Sequence, residues 1–226
     1  MVATLPVIGQ EEAIPEDILY GPEEETAPVS DPLEGFNRSV FRFNDLLYRN
    51  VLDPVADGYD WLMPDPAQTG VSNFFYNIRT PVRLVGSVLQ GKLGRGGREV
   101  GSFVINTTVG LFGFLRPSEE IFGTIPAEDI GQTLAVWGIG EGPYLVLPLL
   151  GPSNLRDAVG FTGDIYLNPA REHSEWEYEA AAFGLDFVNT LPGLTERYEA
   201  LQDSAVAPYI SLRNAYLQNR RQEVDR

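Results

Sequence analysis

The sequence predicts an all-α fold. From Phe36 onward, apolar residues recur at intervals of three or four positions, which is the spacing of one helix face, more often than they alternate. Proline and glycine stand where such helices would begin or end. The 226 residues suit one domain, or one domain with a tail, and are enough to bury a substantial core.

The first predicted helix begins at Phe36 and ends near Asp53-Pro54. One face of it is apolar and consists of Phe36, Val40, Phe43, Leu47 and Val51. A short second helix is predicted at residues 56–62, because Pro64 follows and proline cannot continue a helix.

Two further helices are predicted at residues 81–93 and 98–115, separated by a glycine-rich turn at residues 94–97. Each combines a broad apolar surface with one narrow strip of polar or small residues, whereas an ordinary surface helix has the reverse proportion. The polar members of the strip are Arg83, Ser87, Gln90, Glu99, Ser102 and Asn106, and the strip continues through Gly110 and Gly113. The pattern predicts helices that are submerged on most sides.

Three environments could submerge these helices. They could be central core helices, whose small residues permit close packing. A membrane-spanning helix needs about 20 predominantly apolar residues, and the uncharged run at residues 100–115 is shorter than that and contains Asn106. The third environment has lipid on one side and a polar passage on the other. Two consecutive helices with the same pattern favour this third interpretation without deciding it.

The segment at residues 130–157 is apolar and is interrupted repeatedly by glycine and proline, including Gly138, Gly140, Gly142 and Pro143. This density excludes one long helix and predicts a bent segment with short helical or extended pieces. It could be a buried crossover loop. It could equally be a flexible lip over a ligand path, with the glycines acting as hinges.

Three helices are predicted for the C-terminal part of the chain. The first begins at a capping box formed by Ser174 and Glu177, with a core-facing stripe that includes Phe183 and Phe187. The others cover residues 195–203 and 208–221. Arg220 near the end of the last helix is explained as a cation that complements the helix dipole.

The charge is unevenly distributed. The formal net charge is −16, and residues 1–35 hold nine acidic residues, five prolines and no lysine or arginine. Such a segment cannot bury enough apolar area to offset the entropy of ordering it, so residues 1–30 are predicted to be a disordered acidic, proline-rich tether. Residues 31–226 are predicted to form a single helical domain. The overall acidity argues against nucleic acid as a partner.

The composition also excludes most enzyme classes. The absence of cysteine removes thiol chemistry and cysteine-ligated zinc, and a single histidine, His173, leaves neither a His-based triad nor a two-His metal site. No catalytic residue, cofactor or metal is therefore predicted. The acidic pair Glu128-Asp129 is predicted to lie in a solvated loop, far more plausibly than in a glycosidase-type site.

Several short motifs together resemble a known family. The first cluster contains Asp31, Pro32, Phe36, Asn37, Arg38, Phe43 and Asn44. The second contains Gly131, Gln132, Thr133, Pro143, Tyr144, Arg156 and Asp157. Collinear with these are Asn73-Phe74-Phe75-Tyr76-Asn77 and Pro208-Tyr209. Over residues 31–221 the sequence resembles the MlaA/VacJ family of outer-membrane phospholipid-trafficking lipoproteins.

The resemblance implies a ring-shaped bundle of amphipathic helices with glycine-rich loops around a central channel. It also implies a place in the periplasmic leaflet of the Gram-negative outer membrane. The implied partners are phospholipid, the outer-membrane bilayer, a trimeric porin and a soluble periplasmic lipid carrier. The family's lipidated cysteine has no counterpart in these 226 residues, and the acidic segment stands where the tether belongs.

The leading hypothesis is non-enzymatic passage of phospholipid that is mislocalised in the outer leaflet, which would maintain lipid asymmetry. The six polar strip residues would hydrate the head group, while Gly110, Gly113, Gly138, Gly140 and Gly142 would allow close packing and lip motion. A structural porin-associated scaffold is the alternative, and a lipid hydrolase is a third, for which no nucleophile paired with a base is visible.

Overall fold

The computed structural model describes residues 30–169 and 176–226. Apart from Ser30, the predicted tether lies outside these residues, and so do His173 and Ser174 of the predicted capping box. Residues Asp31–Arg226 form one compact unit. The first five helical segments are α1 (Glu34–Leu47), a π-helical turn (Tyr48–Leu52), α2 (Asp53–Leu62), α3 (Asp65–Ile78) and α4 (Thr80–Leu89). Then follow α5 (Leu93–Thr108), α6 (Ser118–Phe122), α7 (Ile130–Val136), β1 (Tyr144–Leu147), β2 (Gly151–Asn154), α8 (Leu155–Leu167), α9 (Trp176–Ser204) and α10 (Pro208–Asp225).

The predominantly helical fold is confirmed, with one small antiparallel hairpin added to it. The hairpin joins β1 to β2, pairing Tyr144 with Asn154 and Leu147 with Gly151. It lies in the glycine-rich segment, where extended pieces were one of the predicted outcomes. At the start of that segment α7 ends in a Schellman motif: the Gly138 amide donates to Ala135 and the Ile139 amide to Leu134.

Several predicted helix boundaries are wrong. Residues 94–97 lie inside α5 and do not form the turn; α4 ends earlier, because Gly91 takes a left-handed backbone with φ of 74° and reverses the chain there. The first α-helix ends at Leu47, before the predicted end near Asp53-Pro54, and a π-helical turn follows it; Pro54 lies in the first turn of α2, where its missing amide costs nothing. Residues 176–204 form one helix with Pro192 inside it, not two.

The second half of the predicted helix at residues 98–115 is also wrong. The chain leaves α5 at Thr108 and folds into a tight loop in which Leu111, Phe112 and Gly113 all have positive φ. A side chain at Gly113 would collide with Asn77, at 2.6 Å from its Cβ. At Gly110 a Cβ would lie 2.4 Å from the Leu115 carbonyl oxygen. These two glycines therefore close a loop and do not extend the helical strip.

A small apolar core joins the start of the chain to the long helix α9. Tyr48 and Leu52 of the π-helical turn and Ala56 of α2 pack against Leu191. The rings of Tyr48 and Tyr198 stack with centroids 4.5 Å apart. This contact fixes α1 and α2 against α9.

Elsewhere the distribution of polarity is inverted. Among the described residues, 21 buried residues are polar or charged and only 11 are apolar. On α1 the predicted apolar face is the outer one, since Phe36 and Phe43 are more than half exposed while Asn37 and Asn44 are buried. Soluble domains bury apolar side chains preferentially, so this inversion is the feature of the fold that bears most on function.

Candidate functional site

The polar strip predicted on α4 and α5 lies between these two helices. Arg83, Ser87, Glu99, Ser102 and Asn106 are all buried. Helical spacing therefore identified five buried polar residues; Arg83 and Glu99 face each other between α4 and α5, whereas Ser102 and Asn106 contact Ser118 of α6.

An ion pair lies at the centre of the strip. The Nε of Arg83 lies 3.0 Å from both carboxylate oxygens of Glu99, whose side chain is fully buried. The remaining nitrogens donate to the Tyr76 carbonyl and to the Thr80 hydroxyl, and the guanidinium lies 3.7 Å from the centroid of the Tyr76 ring. Because the donors of the Arg83 guanidinium are satisfied and Glu99 balances its charge, the ion pair is tolerated in the interior.

The far end of the strip binds the short helix α6. The hydroxyls of Ser102 and Ser118 are hydrogen-bonded, and the Asn106 side-chain oxygen accepts from the Ser118 amide at 3.2 Å. At the other end of the strip, near the end of α4, the hydrogen bonding is less complete. Gln90 is half-buried and donates to Thr133 at 3.3 Å, while the Ser87 hydroxyl and the Gln90 side-chain oxygen have no partner among the described residues.

The outer surfaces of the same two helices are apolar and exposed. Val88 and Leu89 of α4 are 48% and 41% exposed, and Val100 and Val104 of α5 are 46% and 52% exposed. Within the described ranges, no helix combines the length and the apolar character needed to cross a bilayer. An exposed apolar surface of this extent is typical of a face that contacts lipid or a partner protein.

The hairpin is attached to α1 by two buried asparagines one heptad apart. Asn37 donates to the Tyr144 carbonyl and accepts from the Val146 amide, both at 2.9 Å. Asn44 does the same for the Leu147 carbonyl and the Leu149 amide. The two side-chain amides therefore take the place of a neighbouring strand along the edge of β1.

An apolar cavity of about 270 Å³ lies beneath the hairpin. Its apolar lining comes from α1, the hairpin, α9 and α10 and includes Phe41, Val146, Leu150, Leu201 and Leu212, while Arg197 and Asn44 supply polar atoms. Gly151, with φ of 81°, is the first residue of β2 after the hairpin turn and lines the cavity together with Leu150 and Pro152.

Polar groups near the open end of the hairpin, where Tyr144 pairs with Asn154, form two networks. The first is centred on Asp31, which accepts from Asn37 at 3.0 Å and from the Tyr209 hydroxyl, and lies 3.7 Å from Arg213. Burial raises the pKa of Tyr144, which packs edge-on against Tyr209. This network holds the start of α1 against α10.

The second network is centred on Asp157 at the start of α8. Its carboxylate accepts from Arg156 at 3.0 Å, from Tyr216 at 2.8 Å and from Arg220 at 2.8 Å. Burial alone would raise the pKa of Asp157, but the hydrogen bonds from the two arginines outweigh it and hold the pKa below its ordinary value. Arg220 also forms a fork with Asp129, so it joins α10 to both α7 and α8.

These networks contain five of the motif residues, namely Asp31, Asn37, Tyr144, Arg156 and Asp157. The sequence explained Arg220 by the helix dipole, and that explanation is wrong, because Arg220 is a buried bridge between two carboxylates. The solvated loop predicted for Glu128-Asp129 is also wrong: Glu128 is 2% exposed and pairs with Lys92 and Arg95, while Asp129 caps α7. Nothing in local sequence spacing signals such long-range partners.

Comparison with known proteins identifies the family. The model of the MlaA lipoprotein family matches residues 29–223. This chain belongs to the MlaA lipoprotein family. The match covers both motif clusters and nearly all of the described residues.

Individual relatives agree with the family match. Two are the intermembrane phospholipid transport system lipoproteins MlaA of Shigella flexneri and Escherichia coli strain K12, which are 35% and 34% identical over 194 residues. Each alignment covers 84% of this chain and 76% of the relative. A solved structure described as "Structural basis for maintenance of bacterial outer membrane lipid asymmetry" superposes with a TM-score of 0.74 at 33% identity. The superposition covers 86% of this chain and 99% of the other. The predicted ring shape is consistent with that neighbour.

Within the MlaA family motif, the residues divide into buried anchors and exposed apolar groups. Asn37, Asn44, Gly131, Gln132, Thr133, Tyr144, Arg156 and Asp157 are buried. Pro32, Phe36 and Phe43 are exposed, and Arg38 lies 4.4 Å above the Tyr209 ring. The anchors hold the hairpin, α7, α8 and α10 together.

The predicted hinge glycines differ in their surroundings. Gly138 and Gly142 have positive φ and border the hairpin, and Gly140 has open space around it. Gly110 and Gly113 belong to the loop after α5. A lip motion at the first three, and a head-group role for the polar strip, stay predictions.

Proposed function

We propose that this chain passes phospholipid through its interior at the outer membrane without converting it chemically, and thereby helps to maintain lipid asymmetry. The observation that supports this most directly is the inverted polarity of α4 and α5, whose apolar faces are exposed while Arg83 and Glu99 are buried between them. A helix pair of this kind is stable beside acyl chains and poorly stable in water. The names of the relatives, with their phospholipid transport role, agree with the proposal.

The proposed position is the periplasmic leaflet of the outer membrane. Exposed apolar side chains on α1, α4 and α5 would contact acyl chains of one leaflet, since no described helix is suited to spanning both. The trimeric porin and the soluble periplasmic lipid carrier implied by the family resemblance are part of this proposal. The porin would hold the chain at the membrane, and the carrier would receive the lipid.

The proposed acyl route is the apolar cavity beneath the hairpin. Its volume of about 270 Å³ is near the lower end of small-molecule sites, so a lipid chain would require the hairpin to lift. Lifting would act on the turn around Gly151 and on the bonds from Asn44 to Leu147 and Leu149. The polar strip is closed by its own hydrogen bonds, so its use by a head group would need separation of α4 from α5.

The experiment is lipid extraction and mass spectrometry of the full chain purified from membranes in mild detergent. Leu212→Trp fills the cavity and should reduce co-purified phospholipid severalfold, whereas Leu46→Trp, at a position 62% exposed on the outside of α1, should not. Outer-leaflet phospholipid in cells should rise only with Leu212→Trp.

Three results would oppose the proposal. Wild-type chain without stoichiometric phospholipid would favour the scaffold. Equal lipid in both variants would exclude the cavity as the route. Formation of lysolipid or free fatty acid on incubation with phospholipid would identify a hydrolase.

A further inference from the structure

The turn between α4 and α5 carries a concentration of positive charge in a chain that is otherwise acidic. Lys92, Arg95 and Arg98 fall within seven residues, although the whole chain has only 16 lysines and arginines against 32 acids. They are spaced three residues apart, which places them on adjoining positions at the start of α5. We call these three residues the basic tip.

The basic tip is only partly neutralised. Lys92 and Arg95 share a single oxygen of Glu128, with the Lys92 Nζ at 2.9 Å. Arg98 is exposed and has no acidic partner among the described residues. Burial lowers the pKa of Lys92, and the nearby positive charges of Arg95 and Arg226 lower it further. One carboxylate against three cations leaves a net positive charge at the basic tip.

Apolar side chains border the basic tip. Leu89, at the end of α4, is 41% exposed, and Leu93, between Lys92 and the rest of α5, is 67% exposed. Trp137 is 58% exposed, and its indole nitrogen donates to the Leu89 carbonyl at 3.0 Å. Cations with apolar stems beside an amphipathic indole are typical of groups that lie at the boundary between hydrocarbon and head groups.

Access to the backbone at the tip is open. Gly94 and Gly97 have nothing within 4 Å of the position of a Cβ, so their side of α5 is open, whereas Gly96 packs against α4. Arginine side chains form paired hydrogen bonds with phosphate oxygens, and the start of a helix carries a partial positive charge that adds to theirs. The shared chemistry of all these groups is recognition of a phosphate.

We propose that the basic tip binds the phosphate group of a phospholipid in the bilayer and holds the α4–α5 turn at head-group level. This proposal rests on one part of the proposed function, namely that the outer faces of α4 and α5 contact lipid. It adds a peripheral contact that does not require lipid to pass through the protein. A bilayer phosphate is favoured over a soluble one because the exposed Leu89, Leu93 and Trp137 lie beside the cations.

The test measures flotation of the full chain with vesicles that have no net surface charge. One set is phosphatidylcholine, and the other is a galactosyl diacylglycerol, which lacks phosphate. Wild type should bind the phosphate-containing vesicles more strongly. Arg98→Gln should lower binding to phosphatidylcholine about fivefold, as expected for one charge-assisted contact near a surface, and should leave binding to the galactolipid unchanged.

Arg49→Gln is the charge control, because it removes one positive charge from a side chain 62% exposed on the π-helical turn, where Arg49 pairs with Asp45. Arg98 has no partner among the described residues, so its replacement should not alter the unfolding temperature. Equal binding of wild type to both vesicles, or equal losses for Arg98→Gln and Arg49→Gln, would overturn the proposal. Competition by millimolar inorganic phosphate beyond that of chloride at the same ionic strength would assign the site to free phosphate instead.

Failure of the proposed function would look different. Wild-type chain that carries no extracted phospholipid, yet shows the Arg98-dependent preference for phosphate-containing vesicles, would refute lipid passage and leave the basic tip standing.

Discussion

The Arg83–Glu99 pair shows how two helices with exposed apolar outer faces can keep charge between them. Both side chains are at most 5% exposed, and the Arg83 donors reach Glu99, Tyr76 and Thr80. Desolvating two charges is costly, and the attraction between them offsets that cost only when the geometry is good. The pair therefore specifies which faces of α4 and α5 meet, more than it adds to stability.

Removing one partner of this pair should be strongly destabilising. Glu99→Gln leaves the Arg83 guanidinium buried without a counter-charge and should lower the free energy of unfolding by about 3 kcal/mol. The double variant Arg83→Met with Glu99→Met, which removes both charges, should recover most of the loss. Chemical denaturation in mild detergent measures both, and a loss below about 1 kcal/mol for Glu99→Gln would show that the pair is not desolvated.

Asp164 makes stability depend on pH. Burial raises its pKa to about 6, despite the hydrogen bond that it accepts from the Ile130 amide at 3.0 Å. Between its ordinary pKa and about 6 the folded chain binds more protons than the unfolded chain, so stability falls as pH rises through this window. The penalty is then fully present at neutral pH.

Asp164→Asn should remove this penalty while keeping an oxygen that can accept from Ile130. Because the side chain is partly exposed, we expect a gain of only about 1 kcal/mol at neutral pH, disappearing near pH 4. Thermal unfolding of both proteins across this range measures the difference. A gain of the same size at both ends of the range would show that the carboxylate does not titrate as described.

At the scale of elements, the hairpin depends on side chains of α1 for its edge. Asn44→Leu removes the acceptor of the Leu149 amide and the donor to Leu147. Hydrogen exchange at Leu149 should accelerate about tenfold, since one hydrogen bond of roughly 1 kcal/mol or slightly more is lost. The Val146 amide, bound to Asn37, is the internal control and should keep its rate. Equal acceleration at both amides would mean that the hairpin detaches as a unit.

Close packing of α7 against α8 depends on two glycines. A Cβ at Gly160 would lie 2.4 Å from the Gly131 nitrogen, and a Cβ at Gly131 would lie 2.6 Å from Asp157 and 2.7 Å from Arg220. Gly131→Ala should therefore cost about 2–3 kcal/mol, because backbone or buried ion pairs must move. Gly140→Ala, in open space, should change the unfolding temperature little. Similar small effects for both would show that the helices can separate freely.

Sequence periodicity located the polar strip because its cause is local: residues of one helix face recur every three or four positions. It misplaced Gly110 and Gly113 because a loop continued the same spacing by coincidence. The glycine-rich pattern also predicted a turn at residues 94–97, but the chain reverses at Gly91, which has the left-handed backbone. Glycine permits a break, and tertiary packing decides where the break occurs.

At the scale of the molecule, the inverted polarity could be predicted only in part. Helical spacing predicts that α4 and α5 are submerged, but spacing cannot tell lipid from protein as the surroundings. On α1 the apolar residues Phe36 and Phe43 resembled an ordinary core face, and only the contacts of Asn37 and Asn44 with the hairpin show that the polar side is the buried one. Such partners are more than 100 residues away in sequence.

The proposal that the outer face of α5 contacts lipid makes a prediction for the whole molecule. Val104 is 52% exposed on the outer face of α5, so Val104→Asp would place a carboxylate among acyl chains. We expect partition into vesicles to fall at least tenfold, from a cost of about 2 kcal/mol or more, with an unchanged unfolding temperature in detergent. Ala200→Asp is the control, because position 200 is exposed on α9 between Glu199 and Asp203 and should face water. If Val104→Asp instead lowered the unfolding temperature and left partition unchanged, the outer face of α5 would be a protein interface. Lipid would then have to contact other helices.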